Sequence, residues 1–242
     1  MAVLALAGCG ARHTASPPPR VLGTTVARCA AGSLHPLGTS TRAYVAVAPN
    51  GAVAQRTPGG AVEARFGKAN VNGYQTLFGA IGEIVDASCA ARWYRVQLPI
   101  RPNGAVGYVA ASAVTLETVD TRIEVDLSQR RLTLFQGGRP TLTATVAVGS
   151  PATPTPIGRY YVNQRLVPTD PNGPYGPAAI GVSAYSNVLT GWAQGGPIGI
   201  HGTNEPWSIG KNVSNGCVRL PNATLSKLFK LAVAGTPVII HP

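Results

Sequence analysis

His201 and Cys217, sixteen positions apart, are the side chains in the second half of this 242-residue chain that could share a covalent reaction. From Asp120 onward Cys217 is the only cysteine, and His201 and His241 are the only histidines. An imidazole that takes a thiol proton leaves a thiolate able to attack a carbonyl carbon and keep the acyl group as a thioester. The residues between the two are rich in Asn, Gly, Ser and Pro, so they read as a loop that folds back and delivers both groups to one place. The competing account makes Cys217 a small core residue and His201 a hydrogen-bonded strand end.

The neighbours of the pair have readable roles. Asn215, Gly216 and Cys217 form a tight turn that can aim backbone N–H groups at a developing oxyanion, and Gly216 allows that turn without strain. Ser214 reads as a residue that fixes the turn, with substrate contact as the alternative. Arg219 has two readings: a bidentate clamp on a substrate carboxylate, or a structural arginine pinning the loop through carbonyl oxygens. Tyr175 and Trp207 either wall a substrate groove or pack under loops. Glu205 sits where its loop should swing it outward, so no carboxylate is expected to orient His201.

The elements that must position these residues are mostly strands. Residues 122–127 alternate, 132–135 return, 136–138 turn, and 141–148 and 158–167 supply a third and a fourth strand. Residues 153–156, Thr-Pro-Thr-Pro, are expected on the surface, and 169–177 as a flexible lid around Tyr175. One helix is expected with Asn222 as N-cap, an apolar stripe of Leu225, Leu228, Phe229 and Ala232, and Gly235 as its stop. Residues 237–240 then close the sheet.

Ile200-His201-Gly202-Thr203 followed by Ser214-Asn215-Gly216-Cys217-Val218-Arg219-Leu220 resembles the catalytic signature of the L,D-transpeptidase (YkuD-like) family. Residues 123–128, 153–158 and 173–177 also look like the family, and the resemblance covers residues 120–242. Asn215 stands where many members carry a second histidine. The resemblance implies a β-rich catalytic domain with one main helix, a Cys217 nucleophile and His201 as general base. It also implies that the Gly202 carbonyl accepts the second imidazole proton. Thr203 and Ser214 join Arg219, Tyr175 and Trp207 as implied substrate-side residues. The implied substrates are donor and acceptor stem peptides of peptidoglycan. Cys217 would displace D-alanine from the third-position diamino acid, and an amine of a second stem would take the acyl group. Water as acceptor would make the same site a carboxypeptidase, and a decayed site would leave a wall-binding lipoprotein.

Composition bounds the rest. Apolar residues at 45%, with 29 glycines and 21 prolines, fit turn-rich β architecture. The net charge of +11 is spread over both halves. There are no basic runs or aromatic–basic interleaving, so an anionic cell wall suits it as a partner and nucleic acid does not. Two histidines and one cysteine in the catalytic half supply no plausible metal site, and no phosphate-cradling loop or cofactor motif is present. Leu6-Ala7-Gly8-Cys9 resembles a bacterial lipobox, with Cys9 as the lipidated residue. The apolar run before it is short and lacks a basic residue, so a further basic segment is expected upstream. These features imply an exported lipoprotein of the cell envelope, anchored to the membrane and facing the wall. Cys29 and Cys89 remain for a disulfide. The expected division is leader and Pro-rich tether at 1–39, a small β domain at 40–118 and the catalytic domain at 120–242. Trp93-Tyr94-Arg95-Val96 and Gly107-Tyr108-Val109 in the middle segment resemble the end of a bacterial SH3-like barrel, with the aromatics as core.

Overall fold

The computed structural model describes residues 29–242, so the lipobox-like Cys9 and the Pro-rich stretch after it lie outside the described residues. The first half is a sheet in which every strand pair is antiparallel. Its strands are β1 (Leu34–Pro36), β2 (Ala43–Val47), β3 (Ala52–Gln55), β4 (Val62–Phe66), β5 (Leu77–Val85), β6 (Ala91–Gln97), β7 (Val106–Ala110) and β8 (Thr115–Val119). They are ordered β4-β3-β7-β6-β5-β2-β8, with β1 beside β5. Ala46, Phe78, Val96 and Val109 are fully buried between its layers. Tyr94 joins this core, while Trp93 and Tyr108 are half-buried. A disulfide joins Cys29 to Cys89.

Only Asp120 separates β8 from the second sheet. This is built from β9 (Thr121–Asp126), β10 (Arg131–Gln136), β11 (Arg139–Thr145), β13 (Gly158–Leu166), β14 (Ala179–Tyr185), β15 (Pro197–His201), β17 (Val218–Arg219) and β18 (Pro237–His241). Two short strands, β12 (Val148–Gly149) and β16 (Asn212–Ser214), pair in parallel beside it. The main order is β11-β10-β9-β18-β13-β14-β15-β17. Along β9 Thr121, Ile123 and Val125 are buried and the intervening residues are not, as period-two alternation requires. Helix α1 (Asn222–Leu231) covers one face, with Leu225 and Leu228 in the same core as Ile123, Leu132, Leu134 and Ile240. Each fully buried leucine contributes roughly 1.5–3 kcal/mol.

Three expectations about local structure give way to tertiary packing. The strand expected over 141–148 stops at Thr145 and resumes only at Val148. Between them Ala147 exchanges both backbone hydrogen bonds with Arg219, at 2.9 Å each, so the chain leaves one ladder to support the strand after Cys217. Residues 153–156 are not simply a surface loop, because Thr155 is 3% exposed and its Oγ1 accepts from the Gly149 amide at 2.8 Å. Asn222 does not cap the helix. Pro221 holds that position without a side-chain bond, and Asn222 Oδ1 instead accepts the Thr203 amide at 2.7 Å.

The two sheets share a seam. Tyr161 on β13 is 1% exposed, donates its hydroxyl to Leu77 O at 3.0 Å and packs with Val45 and Val119 of the front sheet. Burial pushes its phenol well above the usual range, so it stays a neutral donor.

Candidate active site

Strands β15 and β17 run in parallel with Ile200 opposite Val218 and His201 opposite Arg219. That register fixes the two reactive groups. His201 ends β15, Cys217 immediately precedes β17, and both border Gly199, whose amide donates to Cys217 Sγ at 3.4 Å. Gly199 has no side chain to stand between them: a Cβ there would lie 4.0 Å from His201 Cδ2. Both His201 and Cys217 line one cavity of about 590 Å³.

His201 is 5% exposed, and its Nδ1 lies 2.6 Å from Gly202 O. A carbonyl oxygen only accepts, so Nδ1 carries the proton and Nε2 keeps its lone pair. Burial pulls the imidazole pKa down to about 4; the Gly202 bond opposes this and the Arg219 charge adds to it. Burial likewise raises the Cys217 thiol, against the Gly199 amide and Arg219. Both shifts favour the uncharged forms, thiol and neutral imidazole, at neutral pH.

The turn before the cysteine is over-determined. Ser214 Oγ donates to Cys217 O at 2.5 Å and accepts from the Gly216 amide at 3.2 Å. Ser214 O in turn accepts from Ser150 N at 2.9 Å and from Thr153 Oγ1 at 3.0 Å. Gly216 sits at φ 110°, a conformation that side chains resist. Ser214 thus occupies the Gly216 amide, one of the three amides expected to face an oxyanion.

A second knot fixes the histidine side. Asn222 Oδ1 reaches the Thr203 amide where Gly202 and Gly176 pass each other; a Cβ on Gly202 would come within 2.2 Å of that oxygen, and one on Gly176 within 2.4 Å. The segment expected as a flexible lid is docked here. It turns through Gly173 N to Asp170 O and Gly176 N to Gly173 O, and sets the Tyr175 ring edge-on to His201 with centroids 5.0 Å apart.

Of the residues expected on the substrate side, Tyr175 lines the cavity, and Asn215 beside the cysteine does too. Thr203 is buried and accepts the Glu205 amide at its Oγ1, and Ser214 is buried in the turn. Trp207 lies outside the cavity wall and stands against Lys211, whose Nζ is 5.1 Å from its ring centre. Arg219 pairs with Glu205 at 2.5 Å. Glu205 does not simply swing out as expected: its side chain stays 44% exposed, but its carboxylate reaches the largely buried Arg219 guanidinium while Thr203 Oγ1 accepts its amide. Cavity lining missed by sequence reading comes from residues 186–196, with Leu189, Trp192 and Gln194, and also from Asn72, Gln164 and residues 166–168. Ser186-Asn187, Gly191 and Gly195-Gly196 mark turns there, and nothing local says which face they line. No Asp, Glu, Lys or Arg lines the cavity among the described residues.

An oriented imidazole and a thiol facing one uncharged groove are suited to acyl transfer between neutral peptide groups. The family model and the sequence relatives agree with that class. The model of the YkuD L,D-transpeptidase catalytic domain family matches residues 120–240. The putative L,D-transpeptidase YkuD of Bacillus licheniformis is 36% identical over 126 residues, which are 52% of this chain and 68% of that one. Its namesake in Bacillus subtilis is 32% identical over 150 residues, 60% and 84% of the two chains. The NMR structure of the catalytic domain of the E. faecium L,D-transpeptidase shares 26% identity at a TM-score of 0.37, covering 50% of this chain and 97% of that one. The chain belongs to the L,D-transpeptidase catalytic domain family, a family of peptidoglycan-modifying enzymes.

Proposed function

We propose that the chain is a cysteine L,D-transpeptidase that cleaves the bond between the third-position diamino acid and D-alanine in a donor stem, then joins the acyl group to a second stem. The observation that carries this reading is the Gly202 carbonyl on His201 Nδ1, which leaves Nε2 as a base on the wall it shares with Cys217. The thiol gives its proton to Nε2 as sulfur bonds to the carbonyl carbon. The Asn215 and Cys217 amides receive the oxyanion. The C–N bond then breaks, and D-alanine leaves with the proton from His201. The acceptor amine attacks the thioester, surrenders a proton to His201, and the Cys217 thiol is regenerated as the new amide forms.

Glu205 and Arg219 hold the loop in this scheme, so donor recognition falls to Tyr175, Trp192 and the carboxamides of the cavity. The front sheet we read as an SH3-like barrel that presents the enzyme to the anionic wall. The Cys9 region we read as a lipid anchor in an exported protein; release of radiolabelled fatty acid only from a Cys9-bearing chain would support it.

Incubation with tetrapeptide stems tests the reaction. D-Alanine release with third-to-third dimers, abolished by Cys217→Ala and by His201→Ala, is the expected result. Release without dimers would assign the site to hydrolysis. Failure of a carbapenem to label Cys217 in folded protein would point to a wall-binding module.

A further inference from the structure

Residues 186–196 form one wall of the cavity and lie outside the catalytic signature. The segment is closed at its base, where the Ser186 amide donates to Gly196 O at 2.8 Å. It exits through three successive left-handed residues, Gln194 (φ 57°), Gly195 (φ 78°) and Gly196 (φ 67°). A Cβ on Gly196 would lie 2.4 Å from Leu189 O. A glutamine in that conformation is disfavoured by itself, so contacts from elsewhere must hold it.

Those contacts come from the front sheet. Arg101 Nη2 donates to Ser186 O at 2.8 Å and to Gly195 O at 2.6 Å, one bond at each end of the loop. Asn103 engages the Tyr185 backbone both ways, donating to its carbonyl at 2.7 Å and accepting its amide at 2.9 Å. At the exit, Gln194 Nε2 donates to Asn72 Oδ1 at 3.1 Å, and Asn72 Nδ2 donates to Gln164 Oε1 at 2.9 Å. Asn72, Gln164 and Gln194 all line the cavity that holds Cys217.

We infer that the front sheet is a working part of the active site: Arg101 is a positioning residue for the Leu189 and Trp192 wall, and Asn72 is a specificity-determining residue for the donor peptide. The inference rests on the acyl-transfer reading above. An extended peptide entering a groove without charged side chains needs its amides satisfied; the Asn72 amide hydrogens go to Gln164 Oε1 and Gln194 Oε1, while Asn72 Oδ1, bonded once by Gln194, keeps a lone pair for a peptide N–H at the rim. Arg101 acts earlier, by fixing the loop before substrate arrives, which lowers the ordering cost of binding.

The full chain is assayed for D-alanine release from a tetrapeptide stem, alongside Arg101→Ala and Asn72→Ala. Iodoacetamide alkylation of Cys217 and amide hydrogen exchange over 186–196 are followed in the same samples. Arg101→Ala is expected to raise KM about tenfold and to speed exchange in the loop, with the alkylation rate unchanged. Asn72→Ala, at an exposed position, is expected to raise KM with kcat held. Wild-type KM in both variants overturns the inference. If Arg101→Ala does not fold, an unchanged KM in Asn72→Ala overturns it alone. A wild-type chain that releases no D-alanine would instead sink the functional reading; unchanged loop exchange in Arg101→Ala would then overturn this one.

Discussion

Burial denies His201 the solvation that would favour its charged form, and the base role proposed for it therefore has a measurable signature. With its pKa near 4, activity should persist on the acid side until the pH approaches 4, whereas a free imidazole would fail near 6.5. An acid limb at 6–7 in kcat/KM would refute the neutral resting pair. The same shift affects stability. The unfolded chain binds this proton more readily than the folded one, so the contribution is complete above about pH 6.5 and is lost as pH falls towards 4. It amounts to on the order of 3 kcal/mol, read from denaturant midpoints across that window in wild type and His201→Gln. Arg219 offers a second test. Its charge pulls the thiol pKa down while Glu205 partly neutralises it. Glu205→Gln should therefore lower the Cys217 pKa and speed alkylation near pH 7; slower alkylation would show that the pair matters only for loop geometry. Residue type alone is enough to find the thiol and the imidazole. It turns Glu205 outward, since nothing local announces a partner fourteen residues away.

At the scale of elements, the site depends on a short parallel pairing and two side-chain knots. Strand β17 is only two residues long, so Ser214 and the Ala147–Arg219 exchange hold the cysteine in register. Ser214→Ala removes two hydrogen bonds from a buried turn and should cost about 1–3 kcal/mol in stability and lower kcat more than it changes KM. An unchanged kcat would reduce Ser214 to packing. Asn222 reads as an N-cap from its place ahead of an apolar stripe. The helix starts there as expected, yet the carboxamide serves Thr203, because a buried loop amide without a partner costs more than an exposed helix end that water can satisfy. The strand expected over 141–148 breaks for a related reason: its pattern is continuous, but Arg219 recruits Ala147 out of the ladder.

At the scale of the whole molecule, the described residues carry two eight-stranded sheets that share a seam at Tyr161, with a disulfide closing a separation of 60 residues in the first half. In the chain-entropy view such a closure is worth about 4 kcal/mol, so a reductant should lower the unfolding midpoint of the front sheet; coincident midpoints with and without it would show that the bond adds nothing. Residue order alone carries the chemistry and the period: a lone thiol near a lone imidazole, a glycine where a turn needs one, alternation that makes strands, and a leucine stripe that makes one helix. These are local properties, set by residue type and spacing of two or about four. Packing in three dimensions settles which carboxamide meets which amide, that Arg219 finds Glu205, and that Asn72 and Arg101 reach a loop some ninety residues or more away. Such contacts follow from how two sheets come together, and no short stretch of sequence encodes that.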